Sequence, residues 1–175
     1  MGCGTPTPLI YKNNMRTTTI YEKRTKMKKL LNTLLFILSF IWQLPQSLIG
    51  IIMLLFFRVF GYVKLISYRK LCFIYEAECM SGGISLGNFA IVSPKSAKRP
   101  ETIAHEQLGH TWDSKLMGPL YLFIVGIPSL LNAWFDFTDC YYDFYPERWG
   151  NKHAGLTVDE HCSLKFIENE NDSQQ

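Results

Sequence analysis

The chain has 175 residues, about one domain's worth of material. Its hydrophobic fraction is 47% and its charged fraction only 19%, below the roughly 25% usual in soluble domains, so a chain solvated on every side is a poor fit. The net charge of +3 is small and its basic residues lie beside apolar segments, which argues against a nucleic-acid partner and for a lipid surface.

Residues 1–26 are polar and lack apolar periodicity. Met27-Lys28-Lys29-Leu30-Leu31 has the form of a natural start, so residues 1–26 are expected to be a disordered or mis-assigned extension. Met1-Gly2 opens a myristoylation signal, but Pro6 stands where that signal needs Ser or Thr.

Residues 27–66 are expected to form a membrane segment. The apolar run 30–57 exceeds the ~20 helical residues that cross a bilayer core. It is too long for a cleaved signal peptide, and no small-residue cleavage site follows it. Trp42-Gln43-Leu44-Pro45-Gln46 interrupts it. Pro45 breaks or kinks a helix, and two glutamines must face protein or water. The segment is therefore a kinked transmembrane helix or a re-entrant hairpin. Basic residues flank both ends (Lys23 to Lys29, then Arg58 to Lys70), which fits the hairpin slightly better.

Residues 67–167 are expected to form one membrane-associated domain. Leu71–Ala77 and Ile84–Val92 have strand composition. Ser81-Gly82-Gly83 between them reads as the turn of a β-hairpin. A helix is expected from Pro100-Glu101 to Gly118-Pro119. The apolar stretch Leu120–Leu131 is short for a span and reads equally as a re-entrant or interfacial helix bent at Gly126 and Pro128. The aromatic zone from Trp134 to Trp149, with Tyr141, Tyr142 and Tyr145, suits an interface belt. Residues 168–175 read as a frayed tail. The fold expected is mainly α, with a small β-hairpin. The five cysteines are scattered, with no Cys-x-x-Cys pair, and read as unpaired thiols with no disulfide framework.

The chemistry is concentrated in His105-Glu106-Gln107-Leu108-Gly109-His110. The zinc-peptidase motif is His-Glu-x-x-His on a helix, with histidines ~40° apart around the axis and a glutamate between them as general base. Here the second histidine comes at i+5, ~140° from the first in a regular α-helix. Three outcomes are open. A π-bulge restores the common face, Glu106 and His110 form a different i, i+4 pair, or the site is dead. Tyr145-Pro146-Glu147 through Asn151 offers a third ligand, because a helix opening at Pro146 shows Glu147 and Asn151 on one face. His161 and Cys162 read as part of a solvated segment; Asp113 reads as a helix-face acid or a support for His110, and His153 as a surface or structural histidine, with an oxyanion or metal role as the alternative.

The His-Glu…His string followed by Glu-x-x-x-Asn resembles the gluzincin metallopeptidases. It is more similar still to a group of small, uncharacterised bacterial membrane proteins with a His-Glu-x-Gly-His-type motif, and to C-terminal segments of RHS-repeat proteins. The matching stretches include Trp42–Gln46, Gly83–Gly87, His105–Ser114, Gly118–Leu122, Gly126–Leu130 and Glu147–Ala154. The resemblance implies a zincin-like helix pair in which His105, His110 and Glu147 bind Zn2+, Glu106 is the catalytic base and Asn151 supports a ligand histidine where the family has an acid. It further implies a membrane-embedded, peptidase-like metallohydrolase of the bacterial inner membrane, with the lipid bilayer and a peptide or protein substrate as partners. The alternative is a non-catalytic pseudoenzyme or partner-binding scaffold.

Overall fold

The computed structural model describes residues 8–167. The chain divides into two compact units, residues 1–38 and 39–175. The first unit is one stretch of helix, the greater part of α1 (Pro8–Trp42). Residues 8–26, expected as an extension, are thus helical, while residues 1–7 and the expected tail 168–175 lie outside the described residues.

The second unit is mainly helical with a small sheet. The backbone breaks at Gln43, and α2 (Leu44–Phe60) starts with Pro45 in its first turn, where a missing N–H costs no helical bond. The two glutamines at the break face protein. Gln43 Nε2 donates to Ser39 O and Oγ (3.0 and 2.7 Å). Gln46 Nε2 donates to Ser114 Oγ (3.1 Å) and Gly118 O (2.8 Å).

Four strands follow, β1 (Val63–Arg69), β2 (Cys72–Ala77), β3 (Gly83–Leu86) and β4 (Phe89–Val92), in the order β1-β2-β4-β3. The sheet corrects the expected hairpin. Leu71–Ala77 and Ile84–Val92 do not pair antiparallel across Ser81-Gly82-Gly83. Instead β2 and β4 pair in parallel, and the run 84–92 is itself a hairpin folded at Gly87-Asn88. Gly87 has φ +64°, as the first residue of a two-residue type II′ turn requires. Asn88 ties the two hairpins together: its Nδ2 donates to Leu71 O (2.7 Å) and its carbonyl accepts from Phe73 N (2.8 Å). At the β1–β2 turn Lys70 and Leu71 both have positive φ, 48° and 62°, which matches a type I′ hairpin turn.

The long helix after the sheet runs as α3 (Pro100–Ala104), a π-helical segment (His105–His110) and α4 (Thr111–Met117). It starts at Pro100-Glu101 and stops at Gly118-Pro119, as the sequence suggests. A second π segment (Leu122–Gly126) leads into α5 (Ile127–Phe135). The last helix, α6 (Tyr145–Ala154), has Pro146 and Glu147 in its first turn and Lys152 and His153 in its last, all favourable to the helix dipole. A short hairpin, β5 (Leu156–Val158) and β6 (Leu164–Phe166), closes the chain.

Two apolar clusters hold α3 and the π segment in place. Cys72, Ile74, Ala90 and Val92 of the sheet pack with Ala97 and Ile103. Ala104 packs with Leu156 and Leu164, joined by Leu108, Tyr142 and Val158. A disulfide, Cys140–Cys162, joins the segment before α6 to the closing hairpin. It corrects the expectation of unpaired thiols: 22 residues of separation give no local signal, and the fold alone brings the two sulfurs together. Cys72 (buried) and Cys79 (exposed) remain free.

Among the described residues no single helix is long and apolar enough to cross a membrane. Two helix pairs have the length and composition only when taken together: Tyr21–Trp42 with Leu44–Phe60, broken at Gln43, and Pro100–Leu120 with Leu122–Phe135, bent by 118°.

Candidate metal centre

The six residues His105 to His110 are wound as a π-helix. Closure of the backbone from i to i+5 widens the turn, so residues five apart return to one face. The extra residue in the motif is absorbed, and the two imidazoles meet with centroids 4.5 Å apart at 80°. Of the three outcomes open in the sequence, the structure adopts the first: His105 and His110 share a face, and the Glu106 carboxylate is held by Ser85.

Glu147, from the first turn of α6, faces both histidines. His105 Nε2 and His110 Nε2 lie 3.0 and 3.2 Å from the same oxygen, Glu147 Oε2. All three side chains are buried, and their ligand atoms lie within 4.8 Å of one another, so His105, His110 and Glu147 form a group that could hold a metal ion. The approach depends on Gly109 and Gly150, where the π segment and α6 touch through backbone.

The protonation pattern supports a cation here. Asn151 Oδ1 lies 2.8 Å from His105 Nδ1. That oxygen only accepts, so Nδ1 carries a hydrogen, and a ring in this tautomer would turn a bare lone pair on Nε2 towards a carboxylate oxygen. Two acceptors at 3.0 Å repel unless a proton or a metal cation lies between them. Bonds of ~2.0–2.1 Å in a tetrahedral shell would place ligand atoms ~3.3 Å apart, within a few tenths of an ångström of the two distances found. The donor set fits a small divalent cation.

Without a metal, His110 presents a proton to the same Glu147 oxygen. Burial pulls the His110 imidazole down, but the Glu147 charge, hydrogen bonds with Asp113 and Glu147 and the Glu106 charge outweigh it and push it up to about 10. Burial raises the Glu147 carboxyl, yet His110 and the hydrogen bonds with both histidines outweigh this and hold it well below the usual carboxylate range.

The surroundings fix each group. Glu147 Oε1 accepts from Tyr141 Oη (3.0 Å) and from Ser129 Oγ. The Ser85 hydroxyl of β3 lies 2.7 Å from Glu106 Oε2 and 2.8 Å from the Glu106 carbonyl, and Tyr121 Oη donates to Ser85 O (3.1 Å). Gly83 leaves room for the other Glu106 oxygen, since a Cβ there would lie 2.8 Å from the Glu106 carboxyl carbon. Behind His110, the buried Asp113 carboxylate stands 3.5 Å from Nδ1 and accepts from His153 Nδ1 at 2.7 Å.

The structure therefore brings His105, His110, Glu147 and Asn151 into one cluster, with Glu106 beside it. Ser85, Ser129 and Tyr141 are additions, and the Tyr141 phenol donates to the Glu147 carboxylate. Asp113 stands behind His110, one of the two places its sequence position left open, and accepts from His153, which is exposed as expected of a surface histidine. His161 stays exposed, far from any such role. No protein-family model, curated protein or solved structure matches the chain, so its reading rests on the geometry of this cluster.

Proposed function

We propose that the protein is a zinc-dependent hydrolase of the peptidase type working in or on a membrane, the bacterial inner membrane by its resemblance. The observation that carries the proposal is the convergence of His105 Nε2 and His110 Nε2 on Glu147 Oε2. Two histidines and one carboxylate with a fourth position open form a ligand set that zinc uses in hydrolytic sites. Bound there, zinc would lower the pKa of water and polarise a carbonyl.

The chain's own residues supply the rest. Glu106 is the general base: Ser85 holds its Oε2, leaving Oε1, on the Gly83 side, to take the proton of an attacking water and pass it to the leaving group. Asn151 holds the His105 ring by a hydrogen bond, and the Asp113 carboxylate stands 3.5 Å behind His110 Nδ1. Ser129 and Tyr141 hold Glu147 by its far oxygen, leaving Oε2 free for the cation. The exposed apolar side chains of α2 (Leu48, Ile52, Leu55, Phe56) and of the Leu122–Phe135 region (Phe123, Trp134) support the membrane setting.

The test is the zinc content of detergent-purified protein, wild type beside His110→Ala and Glu147→Ala. One zinc per chain, lost in both variants, is expected. A wild type without zinc would reject the enzyme and favour the scaffold. Zinc binding with hydrolysis unaffected by Glu106→Gln would reject the assigned base.

A further inference from the structure

A cleft of about 280 Å³ lies between α2, β3 and the Tyr121–Phe135 region, separated from the metal-centre residues by the side chains that hold them. Its inner end is made by Gly83, Ser85, Ser129 and Tyr141, the residues that touch Glu106 and Glu147. Away from that end the walls are Ile49 and Met53 of α2 and Leu122, Ile127 and Leu130 opposite, and among the described residues no charged side chain lines the cleft. Ile49, Ile127 and Leu130 are also 40%, 45% and 40% exposed. The rim of the cleft is thus part of the outer apolar surface, and a molecule dissolved in lipid can enter without crossing water.

The lining discriminates between occupants. A peptide would bring N–H and C=O groups against aliphatic walls with nothing to bond them. The edge of β3 offers a peptide only a few backbone groups, and one of them, the Ser85 carbonyl, already accepts from Tyr121. An alkyl chain has no such groups to satisfy, and each methylene it buries is worth ~4-fold in affinity.

We propose that the cleft holds the alkyl chain of a long-chain acyl amide drawn from the bilayer, with its carbonyl delivered to the metal centre. The proposal rests on the hydrolase reading above. Water supplies the oxygen of the new C–O bond, the amide C–N bond breaks, and Glu106 carries a proton to the leaving nitrogen. A fatty acid and an amine result, with no change in oxidation state.

The test uses acetyl, octanoyl and decanoyl hydroxamates, titrated into the full chain in lipid nanodiscs, zinc-loaded and zinc-stripped, with empty nanodiscs subtracted. In the zinc-loaded protein, affinity should rise at least 30-fold from acetyl to decanoyl. Gly126→Phe should erase that gain while leaving zinc content unchanged. Gly126 lines the cleft, and a Cβ there has its nearest neighbour at 3.6 Å, so the larger side chain has a place to start. Ile127→Asn, which makes the wall polar, is the second variant should the first not fold.

If acetohydroxamate binds the zinc-loaded protein and a longer chain adds less than threefold, the acyl proposal is overturned and the metal centre stands. Tighter binding by an apolar tripeptide hydroxamate than by the decanoyl compound also overturns it. If the protein takes up no zinc, the hydrolase reading fails separately. Decanoic acid binding to the metal-free chain, sensitive to Gly126→Phe, then decides whether the cleft holds an alkyl chain.

Discussion

Gly109 and Gly150 meet backbone to backbone. A Cβ added to Gly109 would lie 2.8 Å from the Gly150 carbonyl carbon, and one added to Gly150 would lie 3.0 Å from His110 Cε1 and 3.2 Å from His105 Cε1. Neither helix can yield without moving a ligand. Gly109→Ala should therefore cost about 1–3 kcal/mol of stability and most of the bound zinc. Thermal melting and metal analysis of the variant check both.

The π segment holds one more residue than an α-helical turn would. Removing Leu108 should let the segment relax to α-helix, with the two histidines at i and i+4 and the flanking helices still in phase. Leu108 is the residue to remove because Gln107 is tied to Ser67 Oγ (3.1 Å) and Cys72 O (3.3 Å). Zinc stoichiometry in the deletion variant should match wild type. Loss of zinc would mean that the wider turn itself is needed.

Asn151 supports His105 through a neutral acceptor. Asn151→Ala should weaken zinc binding ~10–100-fold, the usual effect of removing such a support. Asn151→Asp should strengthen it by making the imidazole a better donor. Competition against a metal-binding dye would rank the three proteins, and an unchanged affinity in the alanine variant would refute the role.

Metal and proton compete for His110. With its pKa at about 10 in the metal-free site, apparent zinc affinity should rise close to tenfold per pH unit between pH 7 and 9. The stability of the metal-free protein should move the other way. The raised His110 contributes fully below its ordinary value of 6.5 and loses that contribution as pH rises towards 10. The lowered Glu147 contributes above 4.5 and loses it as pH falls. Melting of chelated protein should thus be highest between about pH 4.5 and 6.5 as far as this pair is concerned, and His110→Ala should flatten the alkaline fall.

The Cys140–Cys162 bridge closes a loop that contains the whole of α6. By loop-closure entropy its loss costs about 3 kcal/mol. Cys140→Ser should lower the melting temperature by a corresponding amount, and a reductant should do the same to wild type but not to the variant.

Much of this was legible before the structure. Pro100, Gly118 and Pro146 bound helices for local reasons that the sequence shows. His105, Glu106, His110, Glu147 and Asn151 stand in two short strings whose spacing carries the chemistry. The sheet was harder. Gly87-Asn88 sits in an apolar run and reads as the middle of a strand, although it is a turn, and Val63–Arg69 is masked by the basic residues around it. Ser85, Ser129 and Tyr141 come from three separate elements, so no spacing announces them; only packing brings their hydroxyls to the two carboxylates. The partnership of Cys140 with Cys162 is hidden for the same reason.

The π segment also bears on how such a site can change over time. An insertion into an α-helix ordinarily rotates everything beyond it by ~100°, which would separate ligands and misplace the rest of the fold. Here the five-residue spacing is confined to one π segment between flanks that stay α-helical. A lineage can therefore lengthen its metal-binding motif by one letter without passing through a broken intermediate. A search for the fixed spelling His-Glu-x-x-His would then overlook descendants whose histidines still meet.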